Sequence, residues 1–226
     1  MSDGILLREL LLIRHGESLA NISEGEALDS ALSPRGFIQA RALGEYLAGE
    51  KIDAVFSSGL RRAVQTGAEI VTAGKMQTLD ILPCACEIGM DPSYEGQNLD
   101  SLKKLCPGID ITLAGGVDSA TPFSVPDPTP GEYEERYFRR AGELLDYFAS
   151  RFTGGEKIAL VSHAGFLTYV IFYLLGFRYV QPNRDFRLTN TGITRILFFE
   201  PGTNTYGDVI FDCINERKHL DCGYTT

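Results

Sequence analysis

The chain has little positive charge, few histidines and no long apolar run. Its 226 residues include 21 Lys and Arg against 30 Asp and Glu, which gives a formal net charge of −9. Proteins that bind nucleic acid or anionic membranes need an excess of Lys and Arg on the contact face. The charge balance therefore argues against both partners, and any bound anion must be met by a local basic pocket.

The apolar runs and the cysteines indicate the cellular compartment of the protein, the cytoplasm. The longest apolar run, Phe166–Phe177, is well short of the roughly 20 residues that cross a bilayer. The N-terminal run Ile5–Ile13 is interrupted by Arg8 and Glu9, and no small-residue cleavage site follows, which is not the pattern of a signal peptide. The five cysteines are an odd number in a chain too long to need disulfides, which suits a reducing environment. We expect a cytoplasmic protein with no membrane partner.

Metal and cofactor motifs are missing from the sequence. Cys84-x-Cys86 has no second pair and no His at zinc spacing, and no cysteine is followed by Arg six positions later, as in a cysteine-phosphatase loop. A Gly-x-Gly-x-x-Gly motif after a strand is also missing, which argues against a nucleotide-binding dehydrogenase. We expect no metal, no cofactor and no catalytic thiol.

The hydrophobic pattern predicts a single α/β domain over residues 1–226. Short apolar runs are typical of strands that are buried on both faces, and amphipathic helix patterns lie between them. This alternation predicts a three-layer sandwich, with a mostly parallel sheet and helices on both faces. Residues 91–130 are rich in Gly and Pro, show little periodicity and predict a lid-like excursion. The predicted strands are Leu10–Ile13, Ile52–Phe56, Leu79–Leu82, Ile158–Val161, Thr194–Phe199 and Val209–Ile214, and the predicted helices begin near Ser33, Gly59, Glu132 and Phe166.

Four segments place chemically active side chains just after predicted strands. Arg14-His15-Gly16-Glu17-Ser18 follows the first strand and Ser162-His163-Ala164-Gly165 follows another. Arg61 and Arg62 lie where a strand gives way to a helix N-terminus, which favours anions, and Glu87 lies beyond the strand Leu79–Leu82. Ligands of open α/β sheets bind at the carboxyl ends of the strands, so these side chains are expected to meet.

Each of these residues also has a structural interpretation. A single His after a strand is usually a hydrogen-bonded structural residue, two Arg on a helix can be solvated, and a single Glu is most often on the surface. Their convergence on one edge of one sheet favours an anion site, because an acidic chain would hardly gather cations there otherwise.

The motifs together resemble the histidine phosphatase (phosphoglycerate mutase-like) superfamily. They are Arg14-His15-Gly16-Glu17-Ser18-Leu19-Ala20-Asn21, Leu32-Ser33-x-x-Gly36-x-x-Gln39-Ala40, Ser57-Ser58-x-Leu60-x-Arg62-Ala63-x-x-Thr66, Val161-Ser162-His163-Ala164-Gly165 and Asn190-Thr191-Gly192-Ile193-Thr194. Gly59 stands where this family usually has Pro, and the spacing from Glu87 to Glu95-Gly96 is about one residue longer than usual.

The resemblance implies roles for individual residues. His15 matches the nucleophile that becomes phosphohistidine, and Glu87 matches the acid/base, with Asp91 and Glu95 as alternatives. The phosphate pocket is matched by Arg14, Asn21, Arg62 and the second catalytic histidine, His163. From the chemistry we expect His163 to be protonated, the Gly16 carbonyl to fix the tautomer of His15, and Glu87 to have a raised pKa.

The implied activity is that of a metal-independent phosphomonoesterase acting on a small phosphorylated metabolite. A cofactor-dependent phosphoglycerate mutase is the alternative within the family. An inactive phosphate-binding module on the same fold is the alternative from another class. The expected partner is a small phosphorylated substrate, and a homodimer is left open.

Overall fold

Seven strands form one mixed sheet in the computed structural model, which describes residues 4–22, 29–90, 94, 96–114, 133–177 and 186–220. The strands are β1 (Leu6–Arg14), β2 (Ala54–Ser57), β3 (Thr78–Ile81), β4 (Asp110–Leu113), β5 (Glu156–Ser162), β6 (Ile193–Phe199) and β7 (Val209–Glu216). Their order across the sheet is β4-β3-β2-β5-β1-β6-β7. Neighbouring strands from β4 to β1 are parallel, whereas β6 and β7 pair antiparallel.

Helices cover both faces of the sheet. Within the described residues these are α1 (Pro34–Leu47), α2 (Arg61–Ala73), α3 (Leu99–Leu105), α4 (Tyr133–Arg151) and α5 (Ala164–Leu174). Side chains alternate along β1, so that Leu11 packs with the core of α1, α2 and α3, and Leu10 packs with the core of α4 and α5. The predicted three-layer α/β sandwich is confirmed.

Part of the segment predicted as a lid-like excursion, residues 91–130, is regular structure, and its role as a lid stays a prediction. Residues 99–113 form α3 and the edge strand β4, with Leu102 and Ile111 buried in the core. These elements have only seven and four residues, so neither is long enough to show a clear hydrophobic period. Residues 115–132 lie outside the described residues, as do Asp91 and Glu95, and the single-domain division stays a prediction.

The sheet brings the motifs of β1, β2 and β5 to one edge. The N–H of His15 donates to the carbonyl of Ser162 at 3.0 Å, and the N–H of Ser58 donates to the carbonyl of Val161 at 3.0 Å. The hydrogen bonds of the sheet thus continue one residue past the ends of β1 and β2, to His15 and Ser58. Among the described residues, no helix has both the length and the apolar content that a bilayer crossing requires.

Candidate active site

His15 directly follows β1, and both of its ring nitrogens make hydrogen bonds that hold the ring. Its Nδ1 lies 2.6 Å from the carbonyl oxygen of Gly16, and its Nε2 lies 3.2 Å from Nε of Arg62. An arginine Nε–H can only donate, so Nε2 of His15 must accept with its lone pair. Nδ1 therefore carries the proton and donates it to Gly16, as the sequence predicted. The nitrogen left as a nucleophile is Nε2.

Three neighbouring elements fix the backbone of this loop. Thr66 on α2 accepts from the N–H of Gly16 at 3.0 Å, and the side chain of Asn190, before β6, donates to the carbonyl of His15 at 2.9 Å. The helix α1 packs so closely that a Cβ on Gly16 would lie 2.7 Å from the carbonyl oxygen of Gly36. The glycine in the motif is required by this close approach.

Arg62 enters the site from the first turn of α2. It is 7% exposed, and Asp29 anchors the same turn by accepting from the N–H of Arg61 at 2.7 Å. The hydroxyl of Tyr94 donates to the other oxygen of Asp29 at 2.6 Å. Sequence reasoning missed Asp29 and Tyr94, because both lie in loops far along the chain from α2 and carry no recognisable spacing.

His163 lies at the end of β5 and is fully buried. Its Nε2 is 2.6 Å from Oγ of Ser58, and its ring centroid is 5.0 Å from that of His15. Its Nδ1 is buried and makes no hydrogen bond within the part of the chain that the structure describes. The N–H of Leu60 donates to Ser58 Oγ at 3.4 Å, which leaves the hydroxyl proton of Ser58 free to donate to Nε2 of His163. With Nε2 as the acceptor, Nδ1 is the protonated nitrogen of the neutral His163 ring.

The electrostatic surroundings keep both imidazole rings neutral. Burial lowers the pKa of His15 well below 6.5, and the charges of Arg62 and Arg14 lower it further, against the opposing hydrogen bond to Gly16. Burial, followed by Arg62 and the other basic neighbours, likewise holds the pKa of His163 well below 6.5. The expectation of a protonated His163 is therefore wrong, because the site has too little solvent and too much positive charge to keep that proton.

Glu87 lies in the loop after β3, and its carboxyl group reaches the N-terminus of α5. Its carboxylate accepts from the backbone N–H groups of Ile88 at 2.9 Å, Phe166 at 3.0 Å and Gly165 at 3.4 Å. Burial raises the pKa of Glu87, while these hydrogen bonds and Arg62 act in the opposite direction without cancelling the effect. A Cβ on Gly165 would lie 2.7 Å from Oε1 of Glu87, so the glycine of this motif makes room for the carboxylate.

Arg14 and Asn21 line the open side of the site. Arg14 donates from NH1 to the carbonyl of Leu188 at 2.8 Å, and Asn21 is exposed, with its Oδ1 accepting from the N–H of Ser18 at 3.0 Å. Both border a cavity of about 460 Å³, which falls in the size range of small-molecule sites. The described residues that line it do not include His15, Arg62, Glu87 or His163, so it adjoins the catalytic side chains instead of enclosing them. The structure thus places all six predicted residues around one edge of the sheet: Arg14, His15, Asn21, Arg62, Glu87 and His163.

The chain belongs to the histidine phosphatase superfamily (branch 1), whose family model matches residues 10–206. It is 30% identical over 190 residues to the Broad-specificity phosphatase of Saccharomyces cerevisiae, covering 76% of this chain and 72% of that protein. The crystal structure of phosphoserine phosphatase in complex with 3-phosphoglyceric acid from Entamoeba histolytica has 25% identity and a TM-score of 0.64, covering 94% of this chain and 99% of that one.

"Probable phosphoglycerate mutase GpmB" of Enterobacter sp. is a third relative. It is 29% identical over 225 residues, which cover 94% of this chain and 95% of that protein. Phosphatase and mutase names thus both occur among the relatives, and phosphatase activity is supported at the level of the family.

The neutral state of His15 can be tested by removing its cationic neighbour. Arg62→Gln deletes a positive charge beside the ring, so we expect the pKa of His15 to rise. The measurement is an NMR titration of the imidazole nitrogens, with Arg41→Gln, an exposed arginine on α1, as the control. A wild-type His15 that titrates at or above 6.5 would contradict the electrostatic account.

Proposed function

We propose that the protein is a metal-independent phosphomonoesterase that hydrolyses a small phosphorylated metabolite through a phosphohistidine at His15. The observation that carries this proposal is the tautomer and charge of His15. Its ring is neutral, and its unprotonated Nε2 lies beside the buried cation Arg62. The relative from Saccharomyces cerevisiae, which is named as a phosphatase, supports the same class of reaction.

In the first step the Nε–H of Arg62 leaves Nε2 of His15 and turns to the phosphate, which frees the Nε2 lone pair to attack phosphorus. The bond from phosphorus to the ester oxygen breaks as the N–P bond forms. Charge on the non-bridging oxygens is stabilised by Arg14, by Arg62 and by the Nδ1–H of neutral His163, with Asn21 as a further contact at the mouth. Glu87 gives its proton to the leaving oxygen, which would otherwise depart as a strongly basic alkoxide. The raised pKa of Glu87 favours the protonated form that this step needs.

In the second step a water molecule attacks the phosphohistidine. The Glu87 carboxylate accepts a proton from the water, the N–P bond breaks, and its electron pair returns to Nε2 of His15. Inorganic phosphate leaves, and the enzyme regains a protonated Glu87 and a neutral His15. One carboxyl therefore serves as acid and then as base, and a raised pKa suits both roles.

Covalent labelling tests the nucleophile. Brief mixing with a ³²P-labelled phosphomonoester in the presence of a chelator should give acid-labile, base-stable label on the wild type, because two arginines supply the charge that a divalent ion supplies elsewhere. His15→Ala should take up no label, and Arg41→Gln should label like the wild type. Label that persists in His15→Ala, or that needs added magnesium or zinc, would contradict the proposal.

The role of Glu87 is tested with two leaving groups. Glu87→Gln keeps the shape but cannot supply a proton, so we expect a loss of about 100-fold or more on an alkyl phosphate and a much smaller loss on nitrophenyl phosphate. The measurement is kcat on both substrates. Equal losses would show that Glu87 acts on the nucleophile or on the fold instead of the leaving group.

A phosphoglycerate mutase is the second candidate, and the GpmB relative favours it. The phosphohistidine would be the same, but its phosphoryl group would pass to a hydroxyl of a phosphoglycerate instead of to water. Incubation with 3-phosphoglycerate separates the two, since hydrolysis yields glycerate and inorganic phosphate and the mutase reaction yields 2-phosphoglycerate. The cytoplasmic location stays a prediction from the sequence, and the oligomeric state stays open.

A further inference from the structure

The loop that carries Glu87 is held from outside the site by α4. Arg140 donates from NH2 to the carbonyl of Cys86 at 2.6 Å, and the hydroxyl of Tyr137 accepts from the N–H of Gly89 at 3.2 Å. The two side chains are three positions apart on α4 and therefore project from the same face of the helix. They contact the backbone on either side of Glu87.

Arg140 also contacts Phe166, one of the residues that bind the Glu87 carboxyl group. Its guanidinium lies 4.3 Å from the centroid of the Phe166 ring, and the N–H of Phe166 donates to Oε1 of Glu87 at 3.0 Å. The same side chain thus supports the peptide before Glu87 and a residue that binds its carboxylate. This cation–π contact is of the kind that is strongest when desolvated.

The burial of Arg140 is costly for a residue with a purely space-filling role. It is 5% exposed, and the described residues offer it no carboxylate within ion-pair distance. Burying a guanidinium without a paired charge is unfavourable, and an apolar side chain of similar volume generally stabilises a core as well or better. A function in the placement of Glu87 accounts for a cation at this position.

We propose that Arg140 and Tyr137 are positioning residues that hold the Glu87 carboxyl at the reach and angle needed for proton transfer to the leaving group. The proposal rests on the proposed function. On the other side of the loop, Ser162 donates from Oγ to the carbonyl of Ala85 at 2.6 Å. The loop around Glu87 is therefore held by three contacts, at residues 85, 86 and 89. Two of them come from α4, so that without α4 only the contact at residue 85 remains.

Proton transfer depends steeply on this placement. A general acid must lie within about 2.6–3.2 Å of the oxygen that it protonates. A displacement of about 1 Å caused by a change away from the reacting atoms can cost about 100-fold in rate. Loss of the α4 contacts should therefore reduce turnover in proportion to the leaving group's need for a proton, a pattern that general destabilisation does not produce.

The test uses Arg140→Met, which keeps the bulk over Phe166 but removes the charge and the donor. Glycerol phosphate serves as the alkyl substrate and nitrophenyl phosphate as the substrate with a good leaving group. We expect kcat on glycerol phosphate to fall about 10- to 100-fold with little change in KM, and kcat on nitrophenyl phosphate to fall much less. Arg140→Lys and Tyr137→Phe, each of which retains part of the support, should show the same selectivity with smaller losses. They also test the proposal if Arg140→Met does not fold.

The control and the double variant make the result specific. Arg139→Gln alters the exposed neighbour of Arg140 on α4 and should match the wild type on both substrates. In the Glu87→Gln background, Arg140→Met should cause no further loss on glycerol phosphate, since the group that it positions is already inactive. Equal losses on both substrates, or losses that multiply in the double variant, would overturn the positioning role. If the wild type takes up no label at His15, the proposed function fails instead.

Discussion

The site depends on one pair of hydrogen bonds, in which His15 donates from Nδ1 to the carbonyl of Gly16 and accepts at Nε2 from Arg62. This pair fixes the tautomer, the ring plane and the direction of the lone pair before any substrate arrives. The close packing of α1 against Gly16 and the contact of Thr66 with its N–H hold the carbonyl in place. A side chain at position 16 would push α1 away and release the ring, so the fold and the chemistry share this constraint.

The same contacts explain how an acidic chain handles an anionic substrate. Arg62 is buried and Arg14 is half-buried. Burial lowers both pKa values, and the nearby charge of Glu87 opposes that shift. The fixed charge of the two arginines and the burial together keep His15 and His163 neutral. Burial also raises the pKa of Glu87, against the opposing charge of Arg62. Positive charge is thus supplied by groups that cannot lose a proton, which leaves the titratable groups free to act as nucleophile, donor and acid.

The sequence predicted those parts of the structure that are local. The strands β1 and β5 contain the short apolar runs Leu10–Ile13 and Ile158–Val161, each of which leads into its motif, so the placement of His15 and His163 could be inferred. The elements α3 and β4 were missed because they are too short for a period to show. The charge state of His163 was predicted wrongly, since it depends on burial and on Arg62, about 100 residues earlier in the chain. Arg140 is one of several arginines on α4, and only the packing shows that it is the buried one.

The most direct test of the central claim is the crystal structure of the protein with vanadate, which adopts the five-coordinate geometry of the transferred phosphoryl group. The account predicts vanadium bonded to Nε2 of His15, with the opposite apical oxygen facing Glu87. The equatorial oxygens should be met by Arg14, Arg62 and Nδ1 of His163. Vanadate bonded to another side chain, or a His15 ring turned so that Nδ1 faces the metal, would contradict it.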